Sequence, residues 1–194
     1  MRIVAGKHRG LTLAAPKDTR VRPTSDRVRE AIFNVLAHND FGIGFGLDGA
    51  RVLDLFAGTG ALGLEALSRG VRYVLFVDDH PESRGLIRTN VEAAQATGAS
   101  KIWRRDATAL GPMPPNAGGP FDLVFLDPPY RRDLVAQALV SARDGAWLSP
   151  ACLIVAEMAA DEVFELPEGF DAQDERAYGE TLVAILTLTL AEKR

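Results

Sequence analysis

Apolar residues in this chain fall into two interleaved patterns: short unbroken runs, and runs in which they recur three and four positions apart. The unbroken runs are "RVLDLF" (51–56), "YVLFVD" (73–78), "FDLVFLD" (121–127) and "CLIVAEM" (152–158), with a shorter, more polar "KIWRRD" (101–106) between them. Continuous apolar runs of this length predict strands buried on both faces. Between them, "ALGLEALSRG" (61–70), "ESRGLIRTNVEAAQATG" (82–98) and "DLVAQALVSARD" (133–144) have helical spacing, the first two closed by Gly70 and Gly98. Upstream, "TSDRVREAIFNVLAHN" places Val28, Ile32, Val35 and Leu36 on one helical stripe, with Thr24, Ser25 or Asp26 as a cap behind Pro23. The stretch "GPMPPNAGGP" (111–120) cannot continue a helix or a central strand, and two strand-like runs within 176–190 have the character of a terminal hairpin. Strands alternating with amphipathic helices predict an α/β fold whose mostly parallel sheet carries helices on both faces.

In such sheets ligands bind beyond the carboxyl ends of the strands, where the strand order reverses. The acids Asp54, Asp78, Asp106 and Asp127 all stand at predicted strand ends. Asp54 opens "DLFAGTGALGLEAL", in which Phe56 precedes Gly58, Gly60 and Gly63 in G-x-G-x-x-G spacing, and Asp78 follows Gly58 by twenty residues. This spacing also fits a dinucleotide site. A carboxylate at the loop mouth would repel a pyrophosphate, however, and would attract an ammonium or sulfonium by a few kcal/mol at about 4 Å and intermediate dielectric. S-adenosylmethionine carries both cations. On this reading Asp54, Phe56, Gly58 and Gly60 surround its methionine portion, Asp78 accepts from the ribose hydroxyls and Asp106 from the adenine amine. A plain capping role for Asp106 in "RRDATAL" stays open.

The fourth strand ends in "DPPY". An exocyclic amine is a poor nucleophile because its lone pair is delocalised into the ring, so its methylation depends on positioning. Asp127 and the Pro128 carbonyl can accept its hydrogens and stabilise the charge that grows on nitrogen. Pro129 restricts Pro128 to extended geometry, and Tyr130 offers a stacking face for an extruded base.

Composition alters this picture in one respect. Net charge is −4 over 194 residues, which by itself argues against nucleic-acid binding. Yet residues 1–30 hold eight Lys or Arg against three acids, an excess of five, leaving the remainder with nine net negative charges. A basic arm on an acidic body suggests a nucleic-acid partner, a solvated positive face being the alternative, and Arg9, Arg22 and Arg29 are its phosphate-contact candidates, taken as a group. One cysteine, Cys152, excludes an internal disulfide and reads as core, and His8, His38 and His80 form no ligand pattern, so no metal is expected. Trp103 and Trp147 read as packing residues, while Tyr178 is equally compatible with a site edge, core or turn. With no apolar stretch of membrane-spanning length and no secretion signal, a cytoplasmic protein is expected.

Taken together, "DLFAGTGALGLEAL", "FVDDHP", "RRDATAL" and "FLDPPY" resemble the S-adenosylmethionine-dependent class I methyltransferases that modify exocyclic amines. With "RIVAGKHRGLTL", "RPTSDRVREAIFNVL" and "ERAYGETLVAILTL", nearly the whole chain resembles the bacterial small-subunit ribosomal RNA (guanine-N2)-methyltransferases. Thr24, Asp26, Arg27, Arg29 and Glu30 match that family's amino-terminal pattern.

The resemblance implies a Rossmann-like, seven-stranded sheet with an antiparallel carboxy-terminal hairpin. It implies one domain over 1–194, with a basic arm at 1–23 and a helix at about 24–38. The implied substrate is a guanine of 16S rRNA in an assembled or assembling small subunit, met by a monomer. D-P-P-Y also occurs in enzymes that methylate adenine N6 on DNA or RNA, so motif spacing leaves the base open; an RNA-binding assembly factor is the non-enzymatic alternative.

Overall fold

The computed structural model describes residues 1–16, 26–129, 133–162 and 164–189. Seven strands form one sheet in the order β3-β2-β1-β4-β5-β7-β6. They are β1 (Arg51–Leu55), β2 (Tyr73–Val77), β3 (Ser100–Trp103), β4 (Phe121–Leu126), β5 (Leu148–Ala159), β6 (Phe170–Tyr178) and β7 (Thr181–Leu188). The first five are mutually parallel, and β7 runs antiparallel between β5 and β6. The helices are α1 (Asp26–His38), α2 (Ala61–Ser68), α3 (Pro81–Ala93) and α4 (Leu134–Asp144).

The period of two along each strand divides the core. Val52, Phe76, Leu123 and Phe125 face one side and pack with Ile32 and Phe33 of α1, Leu64 of α2 and Ile87 of α3. Leu53, Leu55, Val124 and Leu126 face the other, against Val135 and Leu139 of α4 and the buried Trp147. Trp147 stacks on Phe121, meets Trp103 edge-on at 6.1 Å and donates its indole N–H to Gly111 O at 2.8 Å. Both tryptophans therefore serve packing, and together they pin the proline-rich loop. That loop contains a short 3-10 turn, Pro115–Ala117, which the composition did not foretell.

Three predicted boundaries move. α3 ends at Ala93 instead of running on to Gly98: Gln95 takes a left-handed φ of 52° and a 3-10 turn follows at Thr97–Ala99. β3 stops at Trp103, three residues short of Asp106. β6 begins at Phe170, well before the expected run, because an exposed edge strand needs no apolar alternation. Its burial pattern is almost wholly exposed, and Asp171, Asp174, Glu175 and Arg176 keep its open edge charged.

The amino-terminal segment is not a free arm in its described part. Arg2 and Thr12 form an antiparallel bridge, and Ile3 and Leu13 are buried in the core. Glu65 of α2, itself fully buried, accepts Val4 N at 2.8 Å and Ala5 N at 3.0 Å, and Ser68 Oγ accepts His8 N at 3.0 Å. Residues 17–25, with Arg22 and Thr24 among them, lie outside the described residues. No described helix is long and apolar enough to cross a membrane.

Candidate functional site

Strand order places the site. The chain runs outward from β1 through β2 to β3, then returns to lay β4 on the other side of β1, so order reverses between β1 and β4. Register pairs Leu55 with Leu126 and Leu55 with Val77. The next residues in each strand are Phe56, Asp127 and Asp78, and they leave the sheet side by side. Asp106 stands at the same edge, three residues beyond β3.

The loop between β1 and α2 is sharply bent. Phe56, Gly58 and Gly60 all have positive φ (56°, 56° and 77°). For Phe56, a residue with a Cβ, this is a strained conformation of the kind that collects at ligand sites. A Cβ on Gly58 would meet nothing nearer than Phe56 O at 3.8 Å, so this backbone faces open space at the strand ends. Gly63 has the opposite reason to be glycine, since a Cβ there would come within 2.4 Å of Phe76 and 2.9 Å of Asp54 Oδ2. It lets α2 lie close on β1 and β2.

Asp54 differs from the expected exposed carboxylate at the mouth. It is only 2% exposed, and its Oδ2 accepts Gly63 N at 3.0 Å. Gly63 is the third residue of α2, and no side chain within the helix caps that end. Asp54 thus caps α2 from the neighbouring strand. Burial holds its carboxyl well above the usual range, the Gly63 hydrogen bond opposes this, and nearby Asp127 and Asp78 push it further up. Asp54 is thus buried beneath α2, with Asp78 and Asp127 beyond it at the strand ends.

This arrangement has a thermal signature. An acid whose pKa is raised on folding contributes stability below its unfolded value, and that contribution is lost as pH rises through the folded value. Asp54→Asn keeps an acceptor for Gly63 N–H and cannot ionise. Its Tm is therefore expected to match the parent's in acid and to exceed it by a margin that widens as pH rises above about 4. A margin that stays constant from acid to neutral pH, by scanning calorimetry, would show that Asp54 is not held protonated by the fold.

Asp78 is a hinge of the loop: Oδ2 accepts Gly58 N at 2.9 Å and Oδ1 accepts His80 N at 2.8 Å, which leaves lone pairs for further donors. Asp106 is exposed, and its Oδ1 accepts both Thr108 N (2.8 Å) and Thr108 Oγ1 (2.7 Å), so what the structure shows is the capping role. Pro128 is buried and Pro129 exposed at the exit of β4, with Asp127 half-buried; Tyr130 lies outside the described residues.

Arg29 must be corrected as a phosphate contact. It is fully buried, with Nη2 donating to Asp26 Oδ1 at 2.8 Å and to Arg2 O, and Nε 3.6 Å from Glu65. It shares a stripe with Ile32, Phe33 and Leu36, three, four and seven residues on, and this spacing was a readable sign of burial. Arg9, in the hairpin turn with Lys7, is exposed.

The sequence reading also missed Glu65, the lone acid of an otherwise apolar helix, and Asn90, 1% exposed on α3. A groove of about 620 Å³ lined by Thr108, Pro112, Gln137, Val140, Ser141 and Asp144 runs beside α4.

The donor set fits S-adenosylmethionine. Its ammonium, sulfonium, ribose hydroxyls and adenine amine are cations or donors, and the strand ends present carboxylates and an open glycine backbone.

Comparison with known proteins agrees. An rRNA methyltransferase of Bacillus subtilis, YlbH, provisionally so named, is 38% identical over 169 residues, covering 87% of this chain and 86% of that protein. Ribosomal RNA small subunit methyltransferase D of Escherichia coli is 37% identical over 158 residues, covering 81% and 74%. The solved structure of Escherichia coli yhhF, provisionally described as a methyltransferase, superimposes with a TM-score of 0.80 at 28% identity over 97% of each chain. The family described as Conserved hypothetical protein 95 matches residues 1–187, and the chain belongs to that family, whose fold is the class I methyltransferase fold built above.

Proposed function

We propose that the protein methylates the exocyclic N2 amine of a guanine in small-subunit ribosomal RNA. The observation that supports this reading is the exit of β4: Leu126 pairs with Leu55, so Asp127 and Pro128 follow the strand at the point where β1 gives way to the loop of Phe56 to Gly60. S-adenosylmethionine, when bound, supplies an electrophilic methyl group on a sulfonium. Gly58 gives the loop its open backbone for the methionine portion and Gly60, packed on Phe76 and Ile87, turns the loop into α2; Asp78 accepts from the ribose, and Asp106 remains the proposed partner of the adenine amine. Asp127 and the Pro128 carbonyl accept the two amine hydrogens, which aims the nitrogen lone pair along the line of attack. Asp127 would stabilise the positive charge that grows on nitrogen as the methyl group is transferred, and the surplus proton would pass from the amine to solvent water. Tyr130 is the proposed stacking face for the base.

Arg2, Lys7 and Arg9, exposed on the folded hairpin, supply the phosphate contacts, with Arg22 proposed beside them. A hairpin of this size cannot read a long sequence, which favours a structured RNA in an assembled or assembling subunit, in the cytoplasm. The charged edge of β6 resists strand pairing between copies and supports a monomer.

Incubation with a labelled methyl donor and unmodified small subunits or free 16S RNA, followed by nucleoside digestion, is expected to yield labelled N2-methylguanosine. N6-methyladenosine would replace this reading with adenine chemistry; binding without label would replace it with an assembly role.

A further inference from the structure

Asn90 is a buried amide whose three hydrogen bonds all go to backbone, in two segments far apart in sequence. Its Oδ1 accepts Ala14 N at 2.7 Å, and its Nδ2 donates to Ala14 O at 3.0 Å and to Thr59 O at 2.9 Å. Towards Ala14 the side chain acts as a short piece of strand, satisfying both main-chain groups of one residue. Its remaining donor holds the carbonyl between Gly58 and Gly60. A second contact spans the same gap, as Thr59 Oγ1 lies 3.5 Å from Met1 Sδ. The glycine loop is thus fastened to the end of the basic hairpin, just where the chain leaves towards α1.

We infer that Asn90 is a positioning residue that couples the cofactor loop to the amino-terminal hairpin, so that filling the loop stiffens the hairpin and RNA held on the hairpin tightens the cofactor. The physical basis is shared ordering: a ligand on Gly58 restrains Thr59, the restraint reaches Ala14 through one rigid amide, and a partner on the hairpin then has less freedom to remove. Linkage makes the effect reciprocal.

The inference rests on the cofactor placement proposed above and not on which base is methylated. Amide hydrogen exchange of the full chain, with and without S-adenosylhomocysteine, tests it. In the parent, exchange at Ala14 and Ile3 should slow by about tenfold on cofactor binding, within the usual range of coupling between sites. Asn90→Asp retains size and the acceptor for Ala14 N–H but has no N–H for Thr59 O or for Ala14 O. It should still bind the cofactor by calorimetry while its hairpin protection no longer responds. A cofactor-dependent slowing of hairpin exchange that persists in Asn90→Asp overturns the coupling role. If that variant does not fold, the parent alone decides, because cofactor binding that leaves Ala14 exchange unchanged also overturns it. A parent that binds no S-adenosylhomocysteine overturns the cofactor placement itself, a distinct outcome.

Discussion

Asp127→Ala is expected to lower kcat by about a hundred- to a thousandfold, the cost of deleting one preorganised polar partner of a charge that develops in the transition state. Because Asp127 is proposed to face the amine and not the cofactor, affinity for S-adenosylhomocysteine should change little. The loss should sit in kcat, and Asp127→Asn, which keeps one acceptor oxygen, should fall between the two. A further consequence separates chemistry from misfolding: Asp127 is one of the two carboxylates that push Asp54 upward. Its removal should let Asp54 release its proton at lower pH, shifting the acid-side stability profile while the fold persists. A loss in kcat below about tenfold, equivalent to 1.4 kcal/mol, would remove Asp127 from the chemistry.

The largest effect on stability is expected at Glu65, a residue with no part in the reaction. Besides the two hairpin amides, its carboxylate accepts Arg69 Nε at 2.7 Å and stands opposite the fully buried guanidinium of Arg29, whose Nη1 makes no hydrogen bond. Glu65→Ala leaves the part-buried Val4 and Ala5 N–H groups without their acceptor and removes one of the two carboxylates beside the buried Arg29, which keeps Asp26. Breaking a buried ion pair from one side costs about 3–5 kcal/mol. For a chain of this size that is a fall in Tm on the order of 10 °C. Glu65→Gln, which can still accept one amide, should lose less. If Glu65→Ala melts within a degree or two of the parent, the hairpin is not held by this carboxylate.

The mostly parallel sheet was legible because strands buried on both faces leave unbroken apolar runs, and its carboxyl edge because a glycine loop and strand-end acids mark it. Depth was not legible. Asp54 and Asp78 both read as strand-end acids, yet α2 lies over Asp54 and leaves Asp78 to tie the loop. What sets them apart is Gly63, whose missing Cβ admits the helix. Arg29 was read by its charge when its spacing with Ile32, Phe33 and Leu36 placed it inward. Asn90 follows the same rule, three residues from buried Ile87 and one from buried Val91. A polar residue on an apolar stripe signals a buried partner, but which partner depends on contacts distant in sequence, here Ala14 and Thr59.

Because Ile3 and Leu13 are built into the same core as the sheet, the hairpin proposed to hold RNA is not a detachable module. A new RNA target could not be acquired by exchanging the first sixteen residues for a foreign segment without unfolding the catalytic body. On the proposed function, outward positions of the hairpin such as Lys7 and Arg9 would let specificity drift in small steps at constant architecture.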